Sequence, residues 1–225
     1  MNTAAITFPK MAISFSWQTY STFRGHPLLA AAVRAEHSIA LESRLAKGLS
    51  QVEHGQGVYF VVATPDAPVP NRITYNSLWL DRIQDPGNLG TLLRTAAAAG
   101  IRHAFLSTGC ASAWSPKVLR SAQGAHFVLS ISEHLDLRRE ARKLAIPAVA
   151  TALHDAQSLY DTALPAACAW FFGNEGQGVD PALLALAKLR VFIPQVSQVE
   201  SLNVAVAAGV CLFEQRRQHA GPEVR

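Results

Sequence analysis

From residue 78 onward, short apolar runs alternate with helical segments, and this alternation limits the possible folds more than any other feature of the chain. LWLDRI (78–83), HAFLS (103–107), VLSI (128–131), PAVAT (147–151), AWFFG (169–173) and RVFIP (190–194) read as buried strands. Between them lie NLGTLLRTAAAAG (88–100), PKVLRSAQGA from Pro116, LDLRREARKLA (135–145), PALLALA (181–187) and a final helix from about Asn203 to Gln218. Strands and helices at this spacing predict an α/β domain over 78–219, with a mostly parallel sheet covered on both faces.

The first 77 residues differ. A helix is expected within HPLLAAAVRAEHSIALESRLAKGL (26–49), then a strand VYFVVAT (58–64) and a Pro-rich connector, PDAPVPN (65–71). Residues 1–70 are too few for a comfortable independent core and read as a small or incomplete accessory region.

With 49% apolar and 16% charged residues, the chain is globular and able to bury a core. The longest apolar stretch of helical character, 204–213, is too short to span a bilayer, and the N-terminus lacks a basic region followed by a sustained apolar run. Three well-separated cysteines with no CxxC argue for reduced thiols in a cytosolic protein, and against a disulfide framework or a zinc site. A net charge of +4, with basic residues spread along the chain, is compatible with a nucleic-acid partner but raises that expectation only modestly.

Three Gly/Asn-rich segments fall where strands should end. In DPGNLGTLLRT (85–95), Asn88 is the expected N-cap, and Gly90 allows close approach of another backbone. Leu89, Leu92, Leu93 and Ala96 form one apolar stripe, with Arg94 well off it. A capped helix with a solvated arginine would explain this segment alone, as would an amide pocket with Arg94 reaching phosphate or ribose oxygens. FFGNEGQG (171–178) carries three glycines around Asn174 and Glu175, more than an ordinary loop requires. In ESLNVAVAAG (200–209), Ser201 and Asn203 sit at a helix start, and capping alone could account for both. Since ligands bind at the strand ends of α/β sheets, the three segments suggest one composite site. GxGxxG, GxxxxGK[ST], HExxH and GxSxG patterns are absent, which removes the main support for dinucleotide, P-loop, zinc-protease and serine-hydrolase readings.

In this order the segments resemble the SpoU (TrmH) family of the SPOUT superfamily, RNA 2′-O-ribose methyltransferases that use S-adenosylmethionine. The resemblance covers about 78–218. Its first motif, NxGxxxRT, is matched by Asn88, Gly90, Arg94 and Thr95; its second, GNEGxG, by Gly173 to Gly178. The third, IPM…ESLNVxVA, is matched from Ile193 to Ala207, with Gln195 in place of the usual Met. SPKVLRSAQGAHF (115–127) is similar to the segment between the first two, and SRLAKGLSQVEHGQGVYFVV to the end of the family's L30e-like substrate-binding domain.

The resemblance implies a C-terminal deep trefoil knot, a homodimer, and a ribosomal more than a transfer RNA substrate, with no membrane association and no metal. It implies a cofactor site at Thr151, Ala152, Leu153, Phe172, Gly173, Asn174, Gly176, Ile193, Gln195, Val196, Ser201 and Leu202. Arg94, Lys117 and Arg120 would face RNA. Arg94, Asn88, Glu175, Ser201 and Asn203 would form the catalytic set, with Asn88 and Glu175 orienting Arg94. A guanidinium with a pKa above ~12 is a poor base at neutral pH, so Arg94 is expected to hold phosphate and stabilise developing alkoxide charge. The alternatives are a tRNA ribose methyltransferase, base methylation of tRNA, and a non-catalytic RNA-binding protein of the same fold.

Overall fold

The computed structural model describes residues 11–16, 37–41, 44–45, 48, 58–196 and 201–219. The chain divides into two compact units, Met1–Asp66 and Ala67–Arg225.

In the first unit, β1 (Met11–Ser16) lies between β2 (His37–Leu41) and β3 (Val58–Val62), parallel to β2 and antiparallel to β3. β3 falls within the expected strand. HSIAL, by contrast, is β2 and not part of a helix. Its partner is MAISFS, a run of alternating character to which the sequence reading gave no structure, and strand pairing outweighs local helix propensity there. Arg44, Leu45 and Gly48 are helical; residues 26–36 of the expected helix lie outside the described residues.

The second unit runs β4 (Ser77–Asp81), α1 (Pro86–Ala98), β5 (His103–Ser107), α2 (Pro116–Ala122), β6 (Ser130–Leu135), α3 (Leu137–Glu140), β7 (Ala148–Thr151), β8 (Gln157–Ser158), β9 (Ala169–Gly173), α4 (Pro181–Leu184), β10 (Leu189–Phe192) and α5 (Val204–His219). Among the described residues its sheet has seven strands in the order β6-β5-β4-β9-β7-β10-β8, with every neighbouring pair parallel. Every residue of β4 and β9 is buried, as expected for central parallel strands covered on both faces. The two-residue period sends Leu78, Leu80, Trp170 and Phe172 to one face, where they meet α1 and α5. Trp79 and Phe171 go to the other, against Phe105, Leu137 and Leu183. Trp79 and Phe171 rings lie 5.5 Å apart, a separation at which tilted aromatic pairs attract.

Three local differences from the sequence reading have clear causes. First, Asp85, not Asn88, caps α1: its carboxylate accepts from the Asn88 amide at 2.7 Å, and Pro86 takes the first turn. Second, 135–145 is not one amphipathic helix. β6 extends to Leu135, Asp136 caps the short α3, a 3₁₀ turn follows over Ala141–Lys143, and Leu144 is drawn out to bridge Ile73. Third, Gln157–Ser158 form β8, too short to show any apolar period in sequence and made a strand by pairing with Val191 and Phe192 of β10. α1 and α2 pack closely through Gly90, where a Cβ would stand 2.7 Å from the Val118 carbonyl oxygen. No helix among the described residues is long and apolar enough to cross a membrane.

Candidate functional site

Because the sheet is parallel, the carboxyl ends of β4, β9, β7 and β10 stand side by side along one edge. The loops leaving them carry Asp85–Asn88, Asn174–Gly178, Thr151–Leu153 and Ile193–Val196. Ser201 and Asn203 stand at the start of α5, which packs on α1 and β9.

A chain of side-chain hydrogen bonds joins the three motifs. Asn203 Nδ2 donates to Asn88 Oδ1 at 2.9 Å, and Asn88 Nδ2 donates to Glu175 Oε1 at 2.8 Å. The remaining oxygen of the Asn203 amide caps α5, accepting from the amides of Ala205 (2.9 Å) and Val206 (3.3 Å). Asn88 is free for this bridging role because Asp85 performs the capping. Glu175 and Asn203 are exposed and Asn88 is half-buried, so the chain lies open at the edge.

Inside GNEGQG the glycines have separate reasons. A Cβ on Gly173 would fall 2.1 Å from the backbone of Gly178 and Val179, so this glycine is required by the loop itself. Gly178 has φ +69°, the left-handed region, and donates its amide to the Asn174 carbonyl at 2.8 Å. The Asn174 side chain closes the same turn, accepting from the amides of Gly176 and Gln177 and donating to the Arg82 carbonyl. Gly176 and Gly178 both have space where a Cβ would stand: Asn174 Oδ1 is 3.5 Å away at Gly176, and nothing lies within 4 Å at Gly178. Gly178 is already required by its left-handed backbone, so Gly176 is the glycine left for ligand clearance.

Arg94 is exposed on α1 and makes no hydrogen bond or ion pair among the described residues. It is six residues past Asn88, so by helix geometry about 9 Å along the axis and on another face. The expectation that Asn88 and Glu175 orient Arg94 is not met: they bond each other and Asn203. Lys117 and Arg120 are exposed on α2, the helix that α1 meets through Gly90.

Of the expected cofactor residues, Phe172 is fully buried and can offer only backbone. Thr151 closes β7, and the Ala152 amide is taken by the Val191 carbonyl. Ile193 is half-buried; Gln195, Leu153 (72% exposed) and Val196 (67%) are not. Leu202 is half-buried and Ser201 exposed. The edge thus presents exposed apolar side chains at Leu153 and Val196 beside the open space at Gly176. A separate cavity of ≈280 Å³ occupies the other half of the edge, at the ends of β4, β5 and β6, with Asp81, Arg82, Asp136 and Arg138 in its wall. Sequence reasoning missed Arg82 and Gln177, which brace the loop; nothing in the local pattern around Arg82 marks it.

Residues 76–213 match the model of the SpoU rRNA Methylase family, which takes in the three motifs and the edge they build. The chain belongs to the SpoU rRNA methylase family. Among its SpoU relatives, an uncharacterized tRNA/rRNA methyltransferase of Synechocystis sp. is 44% identical over 144 residues, 63% of this chain and 53% of that protein. The 23S rRNA (guanosine(2553)-2′-O)-methyltransferase RlmP of Bacillus subtilis is 40% identical over 144 residues, 62% of this chain and 57% of its own length. The chain spans about half the length of these curated relatives. The SpoU methyltransferase AviRb of Streptomyces viridochromogenes, solved in complex with the cofactor AdoMet, superposes with a TM-score of 0.79 at 25% identity, covering 96% of this chain and 85% of its own.

Proposed function

We propose that this chain is an S-adenosylmethionine-dependent RNA methyltransferase that modifies a ribose 2′-OH, with ribosomal RNA as substrate. The observation that carries the reading is the Asn203–Asn88–Glu175 chain, which ties three distant motifs into one open polar site. When bound, the cofactor supplies an activated methyl group. The loops at Ala152–Leu153, Gly176 and Ile193–Val196 would hold it, with Leu153 and Val196 as apolar contacts and Gly176 as the open approach. Arg94, which has no polar partner among the described residues, would grip a phosphate next to the target ribose and stabilise charge on the 2′ oxygen as its proton leaves. Lys117 and Arg120 would hold flanking phosphates.

The trefoil knot and the homodimer belong to this proposal. Two features support the knot: β9 runs between β4 and β7 while β10 crosses to the far side of β7, and α5 then returns to α1. In support of the dimer, Val206 (53% exposed), the half-buried Val210 and Phe213 (47%) recur at i, i+4 and i+7 on α5, an apolar stripe that a second copy would cover. The first unit would be an accessory RNA-binding region. Relatives that are named for rRNA favour that substrate over tRNA.

The test is methyl transfer from labelled cofactor to rRNA and to tRNA, followed by alkaline digestion. Label in an alkali-resistant dinucleotide from rRNA is expected; label on a base, or on tRNA alone, overturns the ribose or the rRNA assignment. Gly176→Val should raise the cofactor Kd at least about tenfold, since the added side chain fills the open approach. Unchanged binding by calorimetry would remove Gly176 from the site.

A further inference from the structure

Arg82 follows β4 and has φ +54°, a conformation rare for a long side chain. Such backbone persists where surrounding contacts over-determine it, and it clusters at functional sites. Every polar group of Arg82 is engaged. Its amide donates to Ser107 Oγ at 2.8 Å, and its carbonyl accepts from Asn174 Nδ2 at 3.1 Å. Its guanidinium donates through Nη1 to Gln177 Oε1 at 3.0 Å, and through Nη2 to Asp81 Oδ2 at 3.1 Å. Asp81, itself buried, also accepts the Asp180 amide at 2.9 Å. Arg82 and its carboxylate partner therefore hold the GNEGQG loop at 174 and 177 and the chain just beyond it at 180.

Glu175 lies between the first two of these anchors, and Glu175 is the acceptor for Asn88. We propose that Arg82 is a positioning residue: it fixes the 174–178 turn and through it sets Glu175 against Asn88. A merely stabilising contact would need neither the left-handed backbone nor a reach to both sides of Glu175. The inference rests on the methyl-transfer reading for its kinetic consequence only; its structural consequence stands without it.

The variant is Arg82→Gly in the full chain, which adopts the same φ at no steric cost and deletes the guanidinium. Hydrogen exchange should quicken at the Gly176 and Gln177 amides about tenfold, the effect of losing one charge-assisted hydrogen bond, while the amides of β4 and β9 keep their protection. Gln177→Ala, an exposed truncation, should reproduce part of the effect. In the methyl-transfer assay kcat should fall about tenfold with the RNA KM within about twofold. Unchanged exchange at 174–178 overturns the proposal. So does exchange that rises equally across the whole sheet together with a lower Tm, which would make Arg82 a stabilising residue only. A wild-type protein that transfers no methyl would refute the reaction, and the exchange data would still decide the role of Arg82.

Discussion

The last helix carries a polar network at each end, and the two ends are built to opposite rules. At its start, Asn203 reaches Asn88 and, through it, Glu175, in contact with water. Near its end, Gln215 is 5% exposed and uses both ends of its amide. It accepts from Trp170 Nε1 at 2.7 Å and donates to Asn76 Oδ1, the Pro165 carbonyl and Cys168 Sγ. Burial there pushes the Cys168 thiol up to about 12, so it stays protonated and takes part only as a packed, weakly polar group. A buried network must be saturated, because each orphaned group costs folding energy; an open one can leave capacity for a ligand. The Gln215 end therefore serves the fold, and the Asn203 end serves the site.

The largest effect should come from the open half of the molecule. Arg94→Ala is expected to lower methyl transfer about 10²- to 10³-fold, the scale for removing a donor aimed at developing charge. Cofactor affinity should stay within a few-fold, and stability within about 0.5 kcal/mol, as for other exposed positions. Turnover near that of the wild type would end the assignment of Arg94. The buried half predicts the converse. Gln215→Leu strands the Trp170 indole N–H and the Pro165 carbonyl, and should cost about 3 kcal/mol in urea unfolding. Activity per folded molecule should hold within about twofold. A loss of activity without a loss of stability would erase the distinction between the two ends.

How much of this was legible beforehand differs between the same two regions. The alternation of apolar runs gave strand positions closely, HAFLS and AWFFG to the residue, because central parallel strands are apolar throughout and bounded by glycine and polar residues. The motif order placed the edge. What was hidden is long-range: the pairing of 11–16 with 37–41, the bridge from Leu144 to Ile73 that cuts a helix short, and the hold of Arg82 on Gln177 across 95 residues. The Asp85 cap was readable in principle, since Asp before Pro is a strong helix start. The glycines of the second motif read as one feature in the sequence. The structure separates them, because only coordinates reveal which neighbour a Cβ would strike.

Asn203 tests the open end at intermediate cost. Asn203→Ala removes the cap and the bond to Asn88 together, and should destabilise by about 1 kcal/mol. Asn203→Ser can still cap but is too short to bridge, so stability should return while methyl transfer stays reduced. If the serine variant recovers both, the side chain acts only as a cap and the polar chain is incidental.

The smallest effect belongs to the neighbour of Gln215. The Arg217 guanidinium bonds both Glu214 carboxylate oxygens at 2.7 Å, and Gln218 Nε2 adds a third bond at 2.9 Å. Together they hold the Glu214 carboxyl down to about 2, against an ordinary 4.5. A carboxylate whose pKa is lower folded than unfolded contributes stability that is complete above about 4.5 and is lost as pH falls from there toward 2. The Arg217 side chain is 70% exposed, so solvent screens the pair and the contribution is small. Wild type and Glu214→Gln should therefore differ in unfolding free energy at pH 7, draw together as pH falls below about 4.5, and converge only below about pH 2, with no matching change in cofactor binding. A gap that persists unchanged at low pH would show that Glu214 contributes through something other than its charge.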